Sequence, residues 1–518
     1  MKLYRWQQEC LERWSENGCR GIVNAVTGAG KTELALAAIE HLRARQPRLR
    51  VKIVVPTIPL ARQWETALRR RAPTEEYRPG FFGGGSRDDP DRAVMLYIIN
   101  SARNTLAAQI RRELALGWCV LLICDECHHC QSPQNRKIFG FLTPEAPAAG
   151  RYCCLGLSAT LHGTEEDSLL QRLLGPEIYR YDFDAAGQEG VIAPFALCEV
   201  SAPFAPEELE AYARLTSELR VLAVRLRRET PRLAGLEGSA FFREVRAMAN
   251  RAGMDPEEPA AAFLLKAIRR KEISSLARAR VCCALSILEH LSAADRVLVF
   301  CERIEQVCQI AEAVRVRWGN ICGVYHSKLT AEAKARNLRE FREGQSRILA
   351  CCRCLDEGLD VPDANVGIVL SCASAQRQRI QRLGRLVRVA PGKDAACLYY
   401  IYIRESNDDA AYLPGLEGCE TFSLRYYPGD NAFSNDLYEY AAGMLLARAG
   451  EKGYDGALLG ELRRCLIEGL TRADWLRSAQ TLEDRRRRAK STRDRNYWRT
   501  MAAVGRLLRV EREGKSGR

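Results

Sequence analysis

"AVTGAGKTELALAAI", residues 25–39, is the stretch on which the fold turns. It follows the apolar run "GIVNAV" (21–26) and leads into a segment rich in Ala and Leu, so it reads as strand, glycine-rich turn and helix. A turn of this kind lets backbone amides face a phosphate, and the helix amino terminus adds partial positive charge. Thr27, Gly28, Ala29 and Gly30 would form the cradle. Lys31 would reach the β- and γ-phosphates of a nucleotide, and the Thr32 hydroxyl would ligate magnesium. The strict pattern begins with Gly, whereas Ala25 holds that position here.

The surrounding chain has the rhythm of a parallel sheet. Further strand candidates are "VKIVVP" (51–56), "AVMLYII" (93–99), "WCVLLIC" (118–124) and "YCCLGLS" (152–158), separated by helical patterns. Such alternation predicts an α/β unit with helices on both faces, assigned to residues 1–200. Strands disappear from Pro203 to about Arg280, where Tyr212, Leu215, Leu219, Leu222 and Leu226 make the stripe of an amphipathic helix. Residues 201–280 are accordingly expected to be a helical insert whose stripe is a packing seam. Alternation resumes in "RVLVF" (296–300), "ICGVY" (321–325), "RILACC" (347–352), "VGIVL" (366–370) and "CLYYIYI" (397–403), a second parallel unit over 281–404. Residues 405–518 are expected to be mainly helical and basic.

Composition bounds the rest. With 518 residues, 47% hydrophobic and 28% charged, the chain has room for about three or four globular domains and lacks the profile of a disordered or membrane-spanning protein. It has no apolar run long enough for a membrane span, and its start is charged from the second residue, so neither a signal peptide nor a membrane is expected. The 21 cysteines are scattered, with pairs such as Cys153-Cys154 and Cys351-Cys352 inside apolar runs. That usage suits core packing in a reducing cytoplasm better than a disulfide framework. The net charge of +13 is uneven, since Arg485 to Arg518 hold 13 Lys and Arg against three acids. A basic end on a nearly neutral body points to an anionic partner, nucleic acid before acidic lipid.

"ICDECHHC" (123–130) admits two readings. Cys124, Cys127, His128, His129 and Cys130 could be soft metal ligands. Asp125 and Glu126 could instead be the second carboxylate site of a phosphate-loop ATPase, Asp125 holding magnesium and Glu126 polarising the attacking water. A closed zinc site needs four converging ligands, and neighbours on an extended strand point to opposite faces. The cysteines would converge only through a tight loop, so the ATPase box is preferred.

With these motifs the chain resembles superfamily 2 helicases and translocases of the DEAD/DEAH type. Within that group it is most similar to the DExH-like branch of excision-repair helicases and type III restriction motor subunits. The resemblance covers roughly residues 3–400, with the motifs in family order, and implies two tandem RecA-like lobes. It makes "LYRWQQ" the adenine-reading element through Gln7, beside Trp6, and "VVPTIPLARQW" a grip on a nucleic-acid backbone through Pro56, Thr57, Arg62 and Gln63, with Ser101 nearby. His128 would link "DECH" to Ser158, Ala159 and Thr160 of "LSATL". In the second lobe His326 and Ser327 become backbone contacts, and "LDEGLDVP" puts Gly358 near the cleft and Asp360 near the ribose. "QRLGRLVR" supplies Gln381 toward the γ-phosphate, with Arg385 and Arg388 as arginine fingers. Glu357 and Val387 stand where many relatives have Arg and Gly.

The resemblance implies ATP and Mg2+ as cofactors and nucleic acid as partner, DNA ahead of RNA. Protein partners from repair or defence systems would fit. Three activities remain open: strand separation, translocation or sensing without separation, and a scaffold with a vestigial ATPase. The tail also has two readings. Tyr497, Met501, Val504 and Leu508 at helical spacing predict a docked helix, whereas Arg485, Arg486, Arg487, Arg488 and Trp498 suit a clamp on phosphates and a base.

Overall fold

The computed structural model describes residues 3–71, 78–142, 152–159, 161, 165–352, 364–371, 384, 386–387, 389, 393, 395–407, 420–477 and 479–516. Eight strands form the first sheet: β1 (Arg20–Ala25), β2 (Leu49–Val55), β3 (Gly80–Gly83), β4 (Ser86–Arg87), β5 (Val94–Ile98), β6 (Cys119–Asp125), β7 (Tyr152–Ser158) and β8 (Glu177–Tyr181). Their order is β4-β3-β5-β2-β6-β7-β1-β8, parallel throughout except for the β3–β4 hairpin. Every residue of β6 is buried, as expected for a central strand covered on both faces. Its side chains alternate between two apolar cores. Leu121 and Ile123 join the core containing Trp14, Leu34 and Trp64, while Val120, Leu122 and Cys124 join the one containing Leu106, Ile110 and Tyr152.

The second sheet comprises β9 (Phe195–Ala202), β10 (Val297–Cys301), β11 (Cys322–Tyr325), β12 (Ile348–Cys352), β13 (Val366–Val369), β14 (Ala396–Ile403), β15 (Glu420–Tyr427) and β16 (Ala432–Ser434). Its order is β11-β12-β10-β13-β14-β9-β15-β16. The expected boundary at residue 200 therefore falls inside a strand of the second lobe. β9 pairs in parallel with β14 from Phe195↔Ala396 to Ala202↔Ile403, and β15 takes its other edge. The passage between lobes lies before Phe195, where the Ala193 amide donates to the Val387 carbonyl at 2.7 Å.

Three helices, Pro206–Glu229, Gly238–Arg251 and Pro259–Leu276, make the insert. The predicted stripe buries Tyr212, Leu215, Leu219 and Leu226, and Leu219 and Leu226 share a separate small core with Phe241, Val245 and Phe263. No helix among the described residues is long and apolar enough to cross a membrane.

The C-terminal region does not stand apart from the second lobe. β15 belongs to the sheet, and helices Asp436–Glu451, Gly456–Arg472, Ala479–Arg488 and Thr492–Ser516 add a layer to it. Tyr497, Met501, Val504 and Leu508 lie in one core with Val200, Ile401 and Phe422. Met501 is wholly buried and packs so closely on Gly469 that a Cβ there would overlap it. Met501→Ala is expected to cost about 2–5 kcal/mol, the usual range for truncating a buried Met, and to lower the urea midpoint followed by circular dichroism.

Candidate nucleotide and nucleic-acid site

The site lies where β1, β2, β6 and β7 end, the edge at which open parallel sheets take their ligands. After β1 the chain turns through Gly28 and Gly30, with φ of +94° and +91°, values at which a side chain would be strained. Helix Lys31–Arg43 starts directly behind them. The Lys31 ammonium donates to the carbonyls of Ala25 at 2.8 Å and Val26 at 3.3 Å. Thr27 Oγ1 is buried with no hydrogen-bond partner among the described residues, a polar atom in want of a ligand.

Gln7 is buried against this turn. Its Nε2 donates to the Gly30 carbonyl at 3.0 Å, and its Oε1 accepts from the Tyr4 amide at 2.9 Å. The expected base reader is thus joined to the phosphate loop, while Trp6 stacks on Tyr181 with centroids 4.7 Å apart.

β6 delivers Asp125, whose two carboxylate oxygens each accept one bond. Trp64 Nε1 donates to Oδ2 at 2.7 Å and the Glu126 amide to Oδ1 at 3.0 Å. Burial raises the Asp125 pKa, opposed by Trp64 and by the nearby Lys31. Glu126 takes a left-handed conformation with φ of +48°. Non-glycine residues held there cost on the order of 1–3 kcal/mol, and such strain clusters at functional sites. The kink re-aims Glu126 at the end of the strand. His128 then bridges, its Nδ1 lying 3.5 Å from Glu126 Oε2 and 3.3 Å from Ser158 Oγ. The expected link from "DECH" to "LSATL" is therefore present as a buried contact.

Residues Cys127–Gln131 form a tight turn that brings Cys130 back beside Cys124. Cys124, Cys127 and Cys130 end in the apolar core beside Ile22 and Leu174. Hydrogen bonding to Cys130, together with burial, pushes the Cys124 thiol well up. Among the described residues no group of three or more His, Cys, Asp or Glu could hold a metal ion.

Pro56 and Thr57 follow β2, and helix Ile58–Arg71 buries Ala61, Trp64 and Leu68 while Arg62 faces outward over the Phe81 ring at 4.8 Å. Thr57 Oγ1 is another buried hydroxyl without a hydrogen-bond partner among the described residues. The turn Gly83–Gly85, three successive left-handed glycines, lies against Ile58 and Ser101. Sequence reading overlooked both this turn and Trp64. The unbroken "GGG" and the aromatic closing "LARQW" were the available signals.

In the second lobe His326 is buried, and burial together with Lys334 and Lys328 lowers its pKa; Ser327 beside it is exposed. Gly358, Asp360, Gln381, Arg385 and Arg388, like Thr160 of the first lobe, lie outside the described residues. Gly384 sits so close to the phosphate loop that a Cβ on it would overlap Thr27, and Leu386 and Val387 are buried in the core shared with the first lobe. In the tail, Arg486 and Arg487 both pair with Glu483, and Trp498 is partly buried with Arg485 5.8 Å above its ring.

Tandem parallel lobes meeting at a phosphate loop are the fold of a nucleotide-driven motor. Residues 1–163 match the family described as type III restriction enzyme, res subunit, and residues 278–390 the helicase conserved C-terminal domain. The chain is 27% identical over 389 residues to "DNA 3'-5' translocase XPB2" of Sulfurisphaera tokodaii, covering 75% of this chain and 79% of that one. It is 25% identical over 408 residues to "DNA 3'-5' helicase XPB" of Kineococcus radiotolerans, covering 78% of this chain and spanning only 60% of that relative. Among solved structures, the ATP-dependent type ISP restriction-modification enzyme LlaBIII bound to DNA matches 98% of this chain and 41% of its own. The TM-score is 0.52 at 13% identity, a likeness of fold. The two matched domains and these relatives support a superfamily 2 helicase of the DExH-like branch.

Proposed function

We propose that this protein is a DNA-dependent ATPase that moves along DNA, acting as a helicase or translocase in the cytoplasm. The observation that carries the reading is the line Glu126–His128–Ser158, which ties the end of β6 to the end of β7 beside the phosphate loop. The loop's left-handed glycines, and a Thr27 hydroxyl with no hydrogen-bond partner among the described residues, suit a triphosphate, and Asp125 and Thr32 would hold the divalent cation. Magnesium, when bound, would neutralise charge on the phosphates. Lys31 would exchange its carbonyl partners for phosphate oxygens, and Gln7 would hold the loop against the adenine side. Glu126 would accept the proton of the attacking water, and His128 would pass its state to Ser158. Arg385 and Arg388 would act from the second lobe, with Gln381 orienting the water and Asp360 on the ribose. Thr57, Arg62, Gln63, Ser101, His326 and Ser327 would grip the strand, so that closing and opening of the lobes shifts it.

ATPase rates with single- and double-stranded DNA and RNA test the reading. Stimulation by DNA over RNA supports it, and a rate indifferent to every nucleic acid would reduce the chain to a scaffold. Strand-displacement and triplex-displacement assays then separate unwinding from movement along an intact duplex. Partners from a repair or defence complex would suit such a motor.

The tail would add a clamp. Replacing Arg485 to Arg488 by Ala is expected to weaken DNA binding and lower its log–log salt slope by about two. The lower end of what four arginines could give is expected because Arg486 and Arg487 already share Glu483. Basal ATP hydrolysis should stay near wild type. An unchanged slope across a salt titration would leave the segment a structural helix.

A further inference from the structure

The hydrogen bond from Trp64 to Asp125 spans two motifs 61 residues apart in sequence. Trp64 belongs to helix Ile58–Arg71, which begins directly after Pro56 and Thr57. On the same helix Arg62 is exposed, while Trp64 is turned inward and only 1% exposed. The sheet explains the meeting: β2 and β6 are neighbours in register, Val54 beside Cys124, so the helix leaving β2 starts next to the carboxyl end of β6. An indole N–H donates and cannot accept, so its buried partner must be an acceptor. Here that partner is one oxygen of the carboxylate on which the nucleotide site depends. The other oxygen is held by the Glu126 amide, the backbone of the strained residue that follows.

We propose that Trp64 is the positioning residue that couples the nucleic-acid grip to the nucleotide site. This inference rests on the ATPase and DNA reading given above. Strand contacts at Thr57, Arg62 and Gln63 shift the first turns of helix Ile58–Arg71. Because Trp64 is buried on the face of the helix that also carries Ala61 and Leu68, in the core that holds Ile53, the indole moves with the helix and carries its N–H relative to Asp125. The carboxylate turns toward or away from the position that suits a cation, and the Glu126 amide follows. Binding of DNA and of Mg-ATP thus affect one another through a single bond, and the effect must be reciprocal.

The test uses Trp64→Phe, which keeps an aromatic ring in the core and deletes the donor. In a Glu126→Gln background, slow enough in hydrolysis for equilibrium binding to be read, the affinity for Mg-ATP is measured with and without a DNA duplex by fluorescent-nucleotide titration. Coupling in that background is expected at about five-fold or more, within the usual allosteric range. Adding Trp64→Phe should reduce it to less than about two-fold, with DNA affinity in the absence of nucleotide retained. Thermal melting of each protein without ligands shows whether the variant is folded, and Trp64→Leu, which has no donor either, serves as a second variant if Phe is poorly tolerated. Coupling unchanged in a folded Trp64 variant overturns the inference. Absence of coupling already in the Glu126→Gln parent, together with no DNA-stimulated hydrolysis in the wild type, overturns the functional reading beneath it. Absence of coupling in the parent beside normal DNA stimulation in the wild type overturns the inference alone.

Discussion

Glu126→Gln is expected to bind Mg-ATP nearly as the wild type does and to hydrolyse it about 10²- to 10⁴-fold more slowly, the scale for losing a general base. The substitution keeps the size of the side chain and its left-handed backbone, so the kink after β6 should persist. What it removes is the carboxylate that faces His128 Nδ1 at 3.5 Å. An amide can still hydrogen-bond there but accepts a proton from water poorly. Quenched-flow hydrolysis and equilibrium nucleotide binding, measured on the same preparation, separate the two properties. Near-normal turnover would move the base elsewhere and leave Glu126 a strained strand end.

Arg388→Ala is expected to produce the other large effect, a loss of about 10³ to 10⁵ in DNA-stimulated turnover, as for arginine fingers in other NTPases. Nucleotide affinity should change little, because the ground-state phosphates would be held mainly from the first lobe. The placement of Gly384 supports action across the cleft: its Cα leaves no room for a side chain beside Thr27, so this segment reaches the phosphate loop. The Val387 carbonyl is also fixed by the Ala193 amide. Single-turnover rates at saturating ATP, with and without DNA, read the loss directly. A folded variant that no longer bound ATP would count against a finger acting from the opposite lobe.

Central strands were legible in the sequence because burial on both faces leaves an uninterrupted apolar run. "WCVLLIC" and "YCCLGLS" predicted β6 and β7 to within a residue or so at each end. Strands with polar residues at sheet margins were not, for the converse reason. β8, "EIYRY", lies at an edge, and β15, "ETFSLRYY", mixes polar with apolar positions, so neither stands out from a loop. The order of the lobes and the candidate nucleotide site were read from motif order. The contacts that join the motifs did not. Trp64 on Asp125, Gln7 on Gly30 and Cys130 folding back toward Cys124 each depend on tertiary neighbours or on a turn. The positive φ of Glu126 belongs to that class as well, since a Glu carries no sequence mark of left-handed backbone.

Strand β9 decides where this chain can be cut. It leaves the first lobe and at once becomes an interior rail of the second sheet, with β14 on one side and β15 on the other. A fragment starting at residue 203, just before the helical insert, would inherit two open strand edges facing a slot, the arrangement that invites aggregation. Such a fragment is expected to be insoluble or to recruit a foreign strand, whereas one starting at residue 191 should be monodisperse by size-exclusion chromatography. The tether between the two halves of the motor is therefore also a spine of the second half. A pull transmitted along it reaches the middle of that sheet and not its rim.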